Sequence, residues 1–115
     1  MLHRVDHLDR VFGALADPTR RAVVERLARG PTSVKELARP LAMSLPAVMQ
    51  HLAVLETAGL VASEKVGRVR TCCLVTDALG PAREWLAAAR TAWEDQLDAL
   101  GEVLAEDTHP HEERP

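Results

Sequence analysis

The chain has 115 residues, enough for one domain with a modest core, and its 47% hydrophobic and 27% charged content is that of an ordinary globular protein. No apolar run is long enough to span a bilayer, and the opening MLHRVDHLDR carries charge throughout, so neither a membrane span nor a secretory signal is expected and a cytoplasmic location follows. The net charge of −3 divides unevenly: residues 1–75 hold 11 Lys+Arg against 7 Asp+Glu, or +4, and residues 76–115 hold 3 against 10, or −7.

Leu2, Val5, Leu8, Val11, Phe12 and Leu15 recur at helical spacing, which predicts a first helix over 2–15 whose broad apolar face needs a surface to pack on. His3 and His7 lie four apart on its polar side. The spacing suits a metal, but no further ligand is near in sequence, and solvated histidines are the reading taken. Asp17 followed by Pro18 marks a second helix start, with Ala22, Val23, Leu27 and Ala28 turned inward and Arg20, Arg21, Arg26 and Arg29 outward. Gly30-Pro31 ends it. Ser33 and Glu36 form a capping box, so a short third helix begins at Val34 and weakens before Pro40.

The best-defined stretch is Ser44 to Val61. Ser44 is the cap, Pro46 sits just inside the start, Val48, Leu52 and Leu55 face a core, and Gly59 closes the helix. Leu45, Ala47, Gln50 and His51 make a small, polar opposite face with no carboxylate before Glu56. Met49 suits either a core or a groove contact and is assigned to the core. Two β-branched runs, Val61–Val66 and Val69–Val75, flank Gly67-Arg68 and read as a hairpin with Lys65, Arg68 and Arg70 around its tip. Gly80-Pro81 opens a last helix that runs to Glu106. Its Leu86, Ala89, Trp93, Leu97, Leu100 and Leu104 form a heptad-like seam, widened by Trp85 and Ala92, that is longer than one core needs. Residues 107–115 are expected to be a disordered tail, which leaves one domain over 1–106.

The predicted fold class is therefore mainly α with a small β-hairpin, an α+β winged helix-turn-helix in the order helix, helix, helix, helix, hairpin, helix. Such a unit binds double-stranded DNA by laying its recognition helix in the major groove. Ser44, Leu45, Pro46, Ala47, Gln50 and His51 are the candidates to approach base edges, and Lys65, Arg68, Arg70 and Arg20 to meet phosphates or the minor groove. His51 fits the junction between helix and wing equally well. A basic front and an acidic rear suit this use, although a solvated acidic helix explains the rear as well.

The segments ALADPTRRAVVERLARGPTSVKELA, MSLPAVMQHLAVLETAGLV and EKVGRVR resemble the ArsR-type winged helix-turn-helix repressors over about residues 8–106. The resemblance implies a homodimer built from the first and last helices, through Leu2, Val5, Leu8, Phe12, Leu86, Trp93, Leu97 and Leu100, bound to an inverted-repeat promoter site. It also exposes departures. Metal-sensing relatives carry an ELCVC-type thiol pair where this chain has Glu36-Leu37-Ala38-Arg39-Pro40, or an Asp-x-His pair where it has Asp95-Gln96-Leu97. Neither site is present, so no metal and no cofactor is expected, the subgroup without these motifs fits best, and the inducer stays unknown. Many relatives carry Ser at Met49 and Lys or Arg at Gln50; a glutamine there can bond adenine bidentately.

Cys72 and Cys73 are the only cysteines. Strand neighbours point to opposite faces and a vicinal disulfide is strained, so they are read as inert. The alternative is a thiol- or soft-metal-responsive repressor using Cys72 and Cys73 with their dimer mates or with His109 and His111. An enzyme is excluded for want of a phosphate loop, a metal cluster or a nucleophile–base pair. A winged-helix module that binds protein is the remaining rival, and Lys65, Arg68 and Arg70 argue against it.

Overall fold

A computed structural model describes residues 2–112, with side chains from Asp6 to Glu106. The elements are α1 (Leu2–Leu15), α2 (Pro18–Leu27), β1 (Thr32–Ser33), α3 (Val34–Ala38), α4 (Leu45–Thr57), β2 (Val61–Val66), β3 (Val69–Leu74), a 3₁₀ turn (Thr76–Leu79) and α5 (Gly80–Glu112).

Local chemistry sets most of these boundaries. Asp17 accepts from the Arg20 N–H at 3.0 Å, Ser33 from Glu36 at 3.2 Å and Ser44 from Ala47 at 3.3 Å. Each cap satisfies one helix-start donor and contributes about 1 kcal/mol. At the far end of α4, Gly59 takes φ 77, the left-handed conformation that costs a glycine nothing. The Leu60 N–H then reaches the Leu55 carbonyl and the Gly59 N–H that of Glu56, both at 2.9 Å. This is a Schellman closure, and its apolar partners Leu55 and Leu60 are both buried.

The sheet has three antiparallel strands in the order β1-β3-β2. Sequence reasoning identifies the β2–β3 hairpin and its two-residue turn, where Gly67 has φ 63. It does not identify β1, whose two residues pair as Thr32 with Cys72 and Ser33 with Thr71.

The chain divides into two compact units, Met1–Ala82 and Arg83–Pro115. The core of the first collects Val11 and Ala14 from α1, Val23 and Leu27 from α2, Val34 and Leu37 from α3, and Val48, Leu52 and Leu55 from α4. Ala58, Leu60, Val61, Cys72 and Ala82 complete it. Burial of each leucine stabilises the fold by about 1.5–3 kcal/mol. Three expectations need correction. Ala22 and Ala28 are exposed, because α2 buries only the narrow Val23–Leu27 stripe. Met49 is 39% exposed and not a core residue, since one position beyond Val48 turns it by roughly 100° out of the core. His7 is half-buried, with Nε2 3.1 Å from the Ala78 carbonyl, and is tied to the 3₁₀ turn; the side chain of His3 lies outside the described residues.

The second unit consists of the greater part of α5, a helix of 33 residues counted from Gly80. It continues to Glu112 instead of stopping at Glu106. The segment expected as a disordered tail from 107 is thus helical as far as 112. Trp93, Leu97 and Leu100 are 66%, 48% and 54% exposed along its length. No helix among the described residues is long and apolar enough to cross a membrane.

Candidate nucleic-acid interface

Three sides of α4 do different things. Val48, Leu52 and Leu55 lie in the core. Leu45 and Met49, four apart, stand on the flank nearest the hairpin, and His51 stands on the flank that meets α2. Between these flanks Pro46, Gln50 and Ala53 are exposed. No residue from Leu45 to Thr57 is charged except Glu56, with His51 as the only other titratable group.

The hairpin supplies the cations. Lys65 lies directly opposite Arg70 in the ladder, and Val66 opposite Val69 next to the turn. Arg70 is half-buried and its Nη1 donates to Ser63 Oγ at 3.0 Å, while Ser63 Oγ donates to Glu56 Oε1 at 2.6 Å. The one acid of α4 is thereby turned to the sheet and offsets Arg70. Lys65 and Arg68 remain exposed. Leu45, Met49, Lys35, Lys65, Arg68 and Arg70 border an open concavity of about 370 Å³. Four cations rim it, and no carboxylate does.

Arg20 is engaged inside the fold. Its Nε donates to the Ala14 carbonyl at 2.7 Å and its Nη2 to the Gly13 carbonyl at 3.3 Å, so it closes the C-terminal end of α1. Its Nη1 lies 3.3 Å from His51 Nδ1, a hydrogen bond when that nitrogen carries no proton. Asp17 Oδ2, the cap of α2, lies 3.8 Å from the same nitrogen. Asp17 titrates below the ordinary 3.8 chiefly because the Arg20 N–H bonds it; partial desolvation opposes the shift, and the charges of His51 and Arg20 add to it. Three helices thus meet at one polar node. Arg21 repeats the capping role, with Nη1 2.8 Å from the Leu15 carbonyl.

Of the side chains singled out from the sequence for DNA, Ser44, Leu45, Pro46, Gln50, Lys65 and Arg68 are exposed, Ala47 and Arg70 are half-buried, and Arg20 and His51 join the node just described. Sequence reasoning does not bring Lys35 to this concavity, and it places Met49 in the core in preference to the groove. Met49 was legible in principle, being one helical turn from Leu45 on the same flank. Among the residues expected in a dimer, Phe12, Leu86, Trp93, Leu97 and Leu100 are exposed, whereas Leu8 is half-buried and packs on the core. Leu2 and Val5 lie outside the described side chains.

Cys72 is fully buried, opposite Ser63 in the ladder, and burial pushes its thiol up from the ordinary value. Cys73 is half-buried on the other face of the sheet. The two thiols therefore do not converge. His109 and His111 lie outside the described side chains. Among the described residues no three His, Cys, Asp or Glu side chains are grouped to hold a metal ion.

The chain matches a helix-turn-helix domain model over residues 15–64. It is similar to the HTH-type transcriptional regulator Rv2034 of Mycobacterium tuberculosis, 47% identical over 98 residues that cover 82% of this chain and 92% of the relative. Among solved structures it is similar to the ArsR family transcriptional regulator RHA00566, with a TM-score of 0.73 and 47% identity over 77% of this chain and 92% of that one. A homodimeric winged helix-turn-helix DNA-binding domain from Mycobacterium bovis, Mb0332, superposes with a TM-score of 0.61 at 26% identity, covering 76% and 83% of the two chains.

Proposed function

The chain belongs to the ArsR family of winged helix-turn-helix transcriptional regulators, and on that premise we propose that it is a homodimeric repressor that lays one α4 in the major groove of each half of an inverted-repeat promoter site. The family regulates transcription by binding DNA and is not enzymatic. The observation that carries the reading is the concavity between α4 and the hairpin, rimmed by Lys35, Lys65, Arg68 and Arg70 and bare of carboxylates. Phosphates are the ligand such a rim selects, and each neutralised phosphate releases counterions. Ser44, Leu45, Pro46, Ala47 and Gln50 are then the side chains that approach the base edges, while the wing grips the backbone.

The dimer rests on the long exposed seam of α5, with Leu86, Trp93, Leu97 and Leu100 at helical spacing, together with α1 through Phe12, Leu2 and Val5. Two-fold symmetry places the half-sites about one helical turn apart. A dimer bound across a promoter represses by occupying the site polymerase needs.

Gel shifts on DNA upstream of the gene, across a salt series, test this. Binding should weaken steeply with salt, and Arg68→Ala should lower the log–log salt slope by about 1.8, about 0.9 for each protomer, with the dimer intact. Trp93→Glu with Leu97→Glu should give a monomer that binds weakly. A salt-insensitive complex, or an Arg68→Ala protein that binds as wild type, overturns the docking.

A further inference from the structure

We propose that this chain reads thymine: that Leu45 and Met49 take the 5-methyl groups of thymines in the major groove, so that each half-site is specified by A·T pairs under the first two turns of α4. The inference rests on the DNA-binding reading above and adds what that site selects.

Leu45 and Met49 are 48% and 39% exposed, and neither contributes to the core. Two large apolar side chains one helical turn apart, on the flank of a helix that the fold leaves uncovered, fit an apolar surface on the ligand. Their setting says which one. The concavity they border is rimmed by four cations, so the occupant is an anionic body with apolar spots set inside an anionic frame. The floor of the major groove offers one apolar group, the thymine methyl, between two phosphate backbones. The same face excludes the other common mode of reading. Guanine is specified mainly by Arg or Lys, and α4 carries neither from Leu45 to Thr57. Its Glu56, which could accept from cytosine, is bonded by Ser63. Gln50, exposed beside Met49, has the donor–acceptor pair that adenine matches at N7 and N6. Apolar contact to thymine and an amide on adenine are two halves of one A·T pair.

The test begins by selecting duplexes from a random-core pool with the full chain. The expected outcome is an enriched inverted repeat with A·T pairs at fixed positions in each half. Thymines at those positions are then replaced singly by deoxyuridine, which keeps the pairing and deletes the methyl. At the contacted positions affinity should fall about fourfold per methyl, the value for burying one such group. Leu45→Ala or Met49→Ala should abolish that sensitivity at its own position and leave the other; their circular dichroism and melting report on folding independently. A repeat whose uridine forms bind as tightly as the parent, or one specified by guanines, overturns this inference and leaves DNA binding standing. A pool from which nothing is enriched overturns the DNA-binding reading itself.

Discussion

Arg20 offers the sharpest test of how the reading helix is held, because two readings of it make opposite predictions. As a phosphate ligand it would matter to DNA and little to folding. In the structure it braces the node, with Nε on the Ala14 carbonyl at 2.7 Å, Nη2 on the Gly13 carbonyl at 3.3 Å and Nη1 by His51 at 3.3 Å. A hydrogen bond from a charged donor contributes about 1.5–3 kcal/mol, and a cation at a helix C-terminus about 0.3–1 kcal/mol more. Only the first bond is short, and the guanidinium is part-exposed, so Arg20→Ala should cost about 2–3 kcal/mol. At about 4–8 °C per kcal/mol in a domain near this size, the melting temperature should fall by about 10 °C at fixed protein concentration. His51→Ala should be destabilising too, and the double variant should fall short of the sum by about 0.5–1 kcal/mol, since the two share a bond. The salt slope of DNA binding should not change. A stability loss below about 0.5 kcal/mol with a slope reduced by about 1.8, about 0.9 for each protomer, would refute the brace and restore Arg20 to the phosphates.

Four more outcomes follow from the same geometry. Leu55→Ala, at a fully buried position that also anchors the Schellman closure of α4, should cost about 2–5 kcal/mol by urea denaturation, and a loss under 1 kcal/mol would mean the site collapses without a cavity. Asp17 is held below 3.8 in the fold, so its contribution is fully present above that value and disappears as pH falls through the lower folded one. The wild type should therefore lose more melting temperature on acidification than Asp17→Asn, which still caps the helix; equal losses would contradict the shift. Iodoacetamide should alkylate half-buried Cys73 well before buried Cys72 in the native protein. Peroxide should not release DNA differently from wild type and from the Cys72→Ser, Cys73→Ser protein; a difference would revive a thiol switch.

What could be read from the sequence was local. The caps Asp17, Ser33 and Ser44 and the turns at Gly59 and Gly67 each encode their conformation within a few residues, so element order and the bounds of α4 were legible. Interactions set by distant partners were not. The strand Thr32–Ser33 has no periodicity of its own and exists because Cys72 and Thr71 pair with it. His51 and Arg20 are 31 positions apart, and nothing near either announces that they meet. Met49 misled for a different reason. A methionine in an apolar helix suits core and groove equally, and only the phase of α4, fixed by Val48, Leu52 and Leu55, decides between them.

The register of the hairpin has an evolutionary consequence. Lys65 faces Arg70 across the ladder, a like-charge pair that works against the hairpin whenever no anion is near. An acidic residue at position 65 would pair with Arg70 and make the free protein more stable, whereas one at position 70 would meet Glu56 across Ser63. Selection for folding alone would favour that change, so on the proposed reading the lysine is there for phosphate and not for the fold. Engineering aimed at heat resistance will find the substitution readily and lose the regulator by it. The same repulsion implies that added salt acts twice and in opposite senses, firming the unbound wing while loosening its grip on a phosphate backbone.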